Sequence, residues 1–182
     1  MIEMRFHGRG GQGAVTSAEL VAQAAIDTGK FATAFPSFGP ERRGAPVVAF
    51  ARVDEQPVRT RYKVYKPDVV VVLDPSLLEI ANPAEGLSEG GILIINSSED
   101  ADAIRKKISY SGRLALTDAS TIAKEVIGLP ITNTTMVGAL VKGTGVLTVE
   151  SLKGPFQRRF GKIASRNIEA MQRAFEETKI YE

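Results

Sequence analysis

The sequence of 182 residues contains no cysteine, no tryptophan and one histidine. Without cysteine there is no disulfide, no thiolate nucleophile, no thiolate zinc site and no cysteine-ligated iron–sulfur cluster. A single imidazole, His7, is too little for an all-protein transition-metal site. Any hard redox chemistry this chain takes part in must therefore be carried by another component. Long apolar runs are missing as well: none nears the roughly 18 residues that a membrane helix needs. The opening Met1-Ile2-Glu3-Met4-Arg5-Phe6 lacks the charged-then-apolar order of a secretion signal, so a cytoplasmic chain without a membrane partner is expected. There is also no excess of charge, since 23 Lys and Arg stand against 21 Asp and Glu, and aromatics make up 7%. That balance gives no footprint of nucleic-acid binding. At roughly 100 to 200 residues per domain, the length predicts one domain over residues 1–182.

The charge that is present is unevenly placed. Arg42, Arg43, Arg52, Arg59, Arg61, Lys63 and Lys66 share their stretch with only Asp54 and Glu55, a local composition suited to a polyanion.

Alternating Ile2, Met4 and Phe6 predict a strand that stops at His7-Gly8-Arg9-Gly10-Gly11-Gln12-Gly13. Val15, Ala18, Val21, Ala22, Ala25 and Ile26 then recur at helical spacing from Ala14 to about Thr28, with Gly29 as C-terminal cap. Phe31 to Phe35 is the next strand, closed by Pro36, and the proline- and glycine-rich stretch from Ser37 to Pro46 is a loop. Pro46 to Val53 and Val58 to Tyr65 both read as strands, an antiparallel pair about Asp54-Glu55-Gln56-Pro57. Continuous, β-branched Val69 to Leu73 fits a strand buried on both faces, and Ile92 to Ile95 repeats it. A basic helix over Asp100 to Ile108, a strand over Arg113 to Leu116 and a helix over Ala119 to Ile127 continue the alternation. From Gly128 onward only helices are predicted, near Thr134 to Lys142, Thr148 to Phe156 and Lys162 to Thr178. The last presents Ile163, Asn167, Ala170, Met171, Ala174 and Phe175 as a core-facing seam. The expected fold class is α/β: a three-layer sandwich around a mixed, mostly parallel sheet, with a helical C-terminal cover.

Gly8-x-Gly10-x-x-Gly13 between a strand and a helix has the spacing of a dinucleotide-binding turn, where the backbone approaches a phosphate at the helix N-terminus. The plainer reading is a strand-to-helix turn that needs left-handed glycines. The acid that a nicotinamide site places at the end of its second strand is missing, because that strand ends Ala34-Phe35-Pro36. Arg42 and Arg43, in a loop stiffened by Pro40 and Pro46, suit a phosphate instead, unless they are merely solvated. A nucleotide with an extra phosphate, NADP or coenzyme A, meets that description. His7 has no nucleophile or orienting carboxylate beside it in sequence, and Asp74 before Pro75 reads as a helix start. No residue is nominated as catalytic and none as a metal ligand.

Three stretches carry a resemblance: Phe6 to Val15, Phe35-Pro36-Ser37-Phe38-Gly39-Pro40-Glu41-Arg42-Arg43-Gly44-Ala45-Pro46-Val47, and Pro67-Asp68-Val69-Val70-Val71. In wording and order they resemble the gamma subunits of the pyruvate:ferredoxin oxidoreductase, or pyruvate synthase, family. The likeness runs on through Asn133 to Leu140 and the Asn167 to Ala170 helix. It implies a subunit, inactive alone, of a complex that converts pyruvate, coenzyme A and oxidised ferredoxin to acetyl-CoA, carbon dioxide and reduced ferredoxin. Alpha, beta and delta subunits are the implied partners, with thiamine diphosphate and the iron–sulfur clusters on those chains and ferredoxin met through the complex. In fused relatives the equivalent domain contributes to coenzyme A binding. The matching positions are Gly8, Arg9, Gly10, Gly11, Gln12 and Gly13, with Arg42 and Arg43, where the fused enzymes word the loop differently and carry lysines. A branched-chain 2-oxoacid enzyme, a stand-alone NADP-binding reductase and a purely structural subunit are the other readings.

Overall fold

In a computed structural model, residues 1–37 and 43–182 are described. The chain order is β1 (Ile2–Arg9), α1 (Ala14–Asp27), β2 (Phe31–Pro36), β3 (Pro46–Asp54), β4 (Val69–Val72), α2 (Leu77–Ile80), β5 (Ile92–Asn96), α3 (Ala101–Ile108), β6 (Arg113–Thr117), α4 (Ala119–Val126), α5 (Asn133–Thr144), α6 (Val149–Phe160), α7 (Ala164–Glu177) and β7 (Lys179–Tyr181). The seven strands form one sheet in the order β2-β3-β1-β4-β5-β6-β7. β1, β4, β5 and β6 are parallel in its middle; β3 pairs antiparallel with β1 and with β2 on one side, and β7 antiparallel with β6 on the other.

The pleat sends successive side chains to opposite faces, so β4 and β5 feed two cores at once. Val69, Val71, Ile92 and Ile94 join Met4, Phe6 and the inner faces of α1 and α5. Val70, Val72, Leu93 and Ile95 meet Leu77 and Leu78 of α2 and Ala101 and Ile104 of α3. Burial on both faces is why these strands show no polar alternation, and each such side chain stabilises the fold by about 1.5–3 kcal/mol. The expected α/β sandwich is therefore present, with helices on both faces. α5 lies inside it, most of its residues buried, and α7 covers α5 from outside. Among the described residues no helix is long and apolar enough to cross a membrane.

The structure corrects four expectations. Val58 to Tyr65 is not a strand, because both edges of β3 are already taken, one by β1 and the other by β2. The segment instead crosses the sheet face opposite α1 without regular structure. Strands do not stop at Gly128: Lys179–Tyr181 returns as β7 against the free edge of β6. In the seam of the last helix, Asn167, Ala170, Met171 and Ala174 are buried but Ile163 is exposed, since it ends a 3-10 turn, Gly161–Ile163, that precedes α7. Arg52, counted with the basic stretch, is wholly buried: its Nε donates to Glu3 Oε1 at 2.6 Å and its Nη2 to the carbonyl of Tyr62 at 2.7 Å.

Candidate functional site

The C-terminal ends of β1, β4, β5 and β6 lie side by side, the edge at which α/β sheets hold ligands. β1 runs through Gly8 to Arg9, and the turn Gly10–Gly13 leads into α1. Gly13 is the N-cap of α1 in the left-handed region at φ 83° and offers no side-chain cap to the helix. The first-turn amides of a helix have no intrahelical acceptor, so this end presents N–H groups beside the glycines. A Cβ on Gly13 would collide with the side chain of Asn133, 3.0 Å from both its Cβ and Cγ. On Gly8 it would stand 3.2 Å from Leu73 and 3.3 Å from Ala14. Gly11, at φ 92°, faces open space among the described residues.

Arg9 and Gln12 are committed inward. The Gln12 Oε1 accepts from the Arg9 amide at 2.6 Å, while its Nε2 donates to Asp74 Oδ2 at 2.7 Å. The Arg9 guanidinium donates to Asp74 Oδ2 at 3.2 Å, to Ser76 Oγ at 2.8 Å and to the Gly44 carbonyl at 3.0 Å. Their side chains thus clamp the turn. Asp74 both caps its own turn, accepting from the Ser76 amide at 2.9 Å, and holds the glycine turn from the end of β4. Burial pushes the Asp74 carboxyl upward, but hydrogen bonds from Ser76 and Gln12 and the Arg9 charge outweigh it and hold it below the usual carboxylate range. No local pattern announces this hub, whose partners Arg9 and Gln12 lie more than sixty residues away.

The turn is also stitched to the segment after the proline-rich loop. The Gly10 amide donates to the Ala45 carbonyl at 2.8 Å and the Gly44 amide to the Gly10 carbonyl at 3.2 Å. Exposed Arg43 therefore stands beside the glycine turn, while Arg42 lies outside the described residues. Next to Gly11 and Gln12 opens a cleft of about 250 Å³, lined also by Asp74, Asn96, Ser120 and Thr132. Asn96 is satisfied in place, donating to the Leu73 carbonyl and to Ser120 Oγ, each at 2.9 Å.

The sequence matches the model of the pyruvate ferredoxin/flavodoxin oxidoreductase family over residues 3–177. The chain belongs to that family. It is 50% identical, over the full length of both chains, to the pyruvate/ketoisovalerate oxidoreductases common subunit gamma of Thermococcus litoralis. It is 49% identical to pyruvate synthase subunit PorC of Methanothermobacter thermautotrophicus, covering 97% of this chain and 96% of that one. The crystal structure of pyruvate oxidoreductase subunit PORC from Thermotoga maritima matches with a TM-score of 0.89 at 40% identity, over 100% of this chain and 98% of that one. For this member of the oxidoreductase family, the glycine turn, Asp74 and Arg43 are one connected structure.

His7 lies apart from that cluster. It is buried on the sheet face away from α1, beside Arg5, in a cleft also lined by Ser37, Tyr65 and Glu85. Burial, reinforced by the Arg5 charge, lowers its pKa to about 4. An unfolded histidine titrates near 6.5, so between those values the unfolded state binds the proton and the folded state does not. Stability is accordingly complete above pH 6.5 and falls on acidification toward pH 4. The expected loss between pH 7 and 4.5 is about 2–3 kcal/mol. Thermal melts across that range should lose several degrees in the native protein, and His7→Gln should flatten the slope. Equal slopes in both proteins would contradict the assignment.

Proposed function

We propose that this chain serves as the gamma subunit of a pyruvate:ferredoxin oxidoreductase, inactive by itself, and that it holds the phosphates of coenzyme A. The observation that carries the reading is the uncapped N-terminus of α1 behind the glycine turn, with exposed Arg43 stitched beside it. Oriented amides and a guanidinium fork suit a phosphate chain, and Arg42, the adjoining residue, adds a second cation. Gly11 leaves open space beside the backbone, Gly8 and Gly13 allow the turn to pack closely on Leu73 and Asn133, and Arg9 and Gln12 fix the turn through Asp74. The remaining work belongs to alpha, beta and delta companions: thiamine diphosphate supplies carbanion stabilisation and iron–sulfur clusters take the electrons on to ferredoxin. Holding the coenzyme by its phosphates leaves its thiol arm to reach a neighbouring subunit, which lowers the entropic cost of the acyl transfer.

The full-length relatives named as a common subunit for pyruvate and ketoisovalerate oxidoreductases favour a second possibility within the same class, that one gamma chain serves a branched-chain 2-oxoacid enzyme as well. The keto-acid pocket then lies on other chains. A stand-alone NADP reductase is disfavoured by the sheet. β2, the second strand, is not a neighbour of β1, and the acid at the end of the parallel neighbour β4, Asp74, is engaged by Gln12, Arg9 and Ser76.

In the assembled complex, Arg43→Ala should raise the KM for coenzyme A by about ten- to a hundredfold, the worth of one charge-assisted hydrogen bond. The KM for pyruvate and kcat should move less than about twofold by the same reasoning. Equal effects on both substrates would refute the placement.

A further inference from the structure

The face of the sheet opposite α1 is covered by helices α2 and α3 only over β4, β5 and β6. Over β1 and β3 the cover is irregular: the turn whose Pro83 and Glu85 carbonyls accept from Arg5 of β1 and, beside it, the segment from Arg59 to Lys66. This strip is held rigidly from beneath. Arg52, fully buried, donates to the carbonyls of Thr60 at 3.4 Å and Tyr62 at 2.7 Å, and its guanidinium lies 4.8 Å from the Tyr62 ring and 5.5 Å from that of Phe35. Val64 is buried as an anchor, and the backbone of Gly86 packs against the Tyr65 carbonyl so closely that a Cβ there would collide with it.

What the strip presents outward is one-sided. Arg59, Arg61, Lys63 and Lys66 are exposed, no acid lies between Gln56 and Pro67, and among the described residues none of these four cations forms an ion pair. Among the described residues Glu85 is the one carboxylate on the adjoining cleft, which Lys63 and Tyr65 also line. Between the cations stand Tyr62, 60% exposed, and Tyr65, 70% exposed, and Ile80, also 60% exposed, precedes the cleft residue Ala81. Tyrosine and arginine are the side chains that most often dominate binding at protein interfaces. A strip already rigid loses little entropy when such side chains are engaged.

We infer that Arg59–Lys66 is the docking strip for an acidic face of a companion subunit. The inference rests on membership in a multi-subunit oxidoreductase family, not on the coenzyme reading. A small polyanion at the glycine turn is the weaker occupant. Tyr62 is tied through Arg52 to Glu3, near the start of β1, about 20 Å along the strand from the glycine turn at 3.3 Å per residue, while Lys63 and Tyr65 reach the cleft of His7 nearer that turn, so a small polyanion at the turn would not span the strip.

The test uses the complex purified with its companion subunits. Arg61→Glu, Lys63→Glu and Lys66→Glu together should leave the melting temperature of the chain within about 2 °C, as exposed charge changes do. Retention in the complex should weaken by at least about tenfold, and retention of the native chain should itself fall with added salt. A photo-crosslinker placed at position 65 should join this chain to an Asp- and Glu-rich peptide of a companion. Tyr65→Ala, which removes an exposed ring without touching the Arg52 anchor, should weaken retention too, and it decides the matter if the triple variant fails to fold. Unchanged retention would overturn the inference, as would crosslinks confined to a second copy of this chain. So would an intact complex whose only defect is a raised KM for coenzyme A, which would assign the strip to the coenzyme. Loss of the Arg43 effect with retained docking would strike the coenzyme reading alone.

Discussion

Gly138→Ala should lower the melting temperature by about 4–10 °C, from a loss of about 2–3 kcal/mol. Gly138 sits in the middle of α5 where it crosses α7, and an added Cβ would enter the space of the Met171 carbonyl oxygen, 2.9 Å from its carbon and 3.1 Å from the Phe175 nitrogen. All three are backbone atoms, so no rotamer change relieves the clash and the helices must separate. Separation would strain the buried hydrogen bond from Thr134 Oγ1 to Asn167 Oδ1, 2.8 Å long, and loosen the packing of Met171. Alanine gains up to about 1 kcal/mol over glycine inside a helix, which is included in that net figure. A melt unchanged to within a degree would mean that α5 and α7 do not approach as closely as the structure has them.

Asp74→Ala should act on the site more than on the fold. It removes the acceptor shared by Gln12 Nε2, Arg9 Nε and the Ser76 amide, so the glycine turn loses its hold on β4 and the Arg9 charge loses its partner. The carboxylate is partly exposed and water replaces some of what is lost, so about 1–2 kcal/mol of stability is expected to go. If the turn holds the coenzyme's phosphates, the KM for coenzyme A in the complex should rise by about tenfold or more while the KM for pyruvate stays put. Asp74→Asn keeps an acceptor oxygen and should recover much of the difference. A residue that merely stabilised the fold would lower activity and melting temperature together, with no split between substrates and no rescue by the amide.

The central strands and most helices were legible in the sequence because their causes are local. Val69 to Val72 and Ile92 to Ile95 lack polar alternation since both faces are buried, and α1 follows a turn whose glycines adopt backbone angles and close contacts that other residues resist. The missing cysteines were equally decisive, because without thiolates the chain cannot hold a cluster whatever its fold. Arg43 beside the glycine turn follows the juxtaposition expected of the loop, although no local rule required Ala45 to pair with Gly10.

Tertiary structure decided everything that depends on competition for an edge or on a distant partner. Val58 to Tyr65 has the composition of a strand, yet β1 and β2 occupy both sides of β3, and the segment became a surface strip instead. Lys179–Tyr181 is too short to read as a strand and becomes one because β6 offers it a free edge. Arg52 looked like one more surface cation, but Glu3 and two carbonyls satisfy it in the interior. Asp74 looked like a helix start, and its larger role arose only when β1 and β4 came together and brought Arg9 and Gln12 to it. Local pattern fixes what a segment is able to become; which groups remain unsatisfied after the sheet has closed determines what it does.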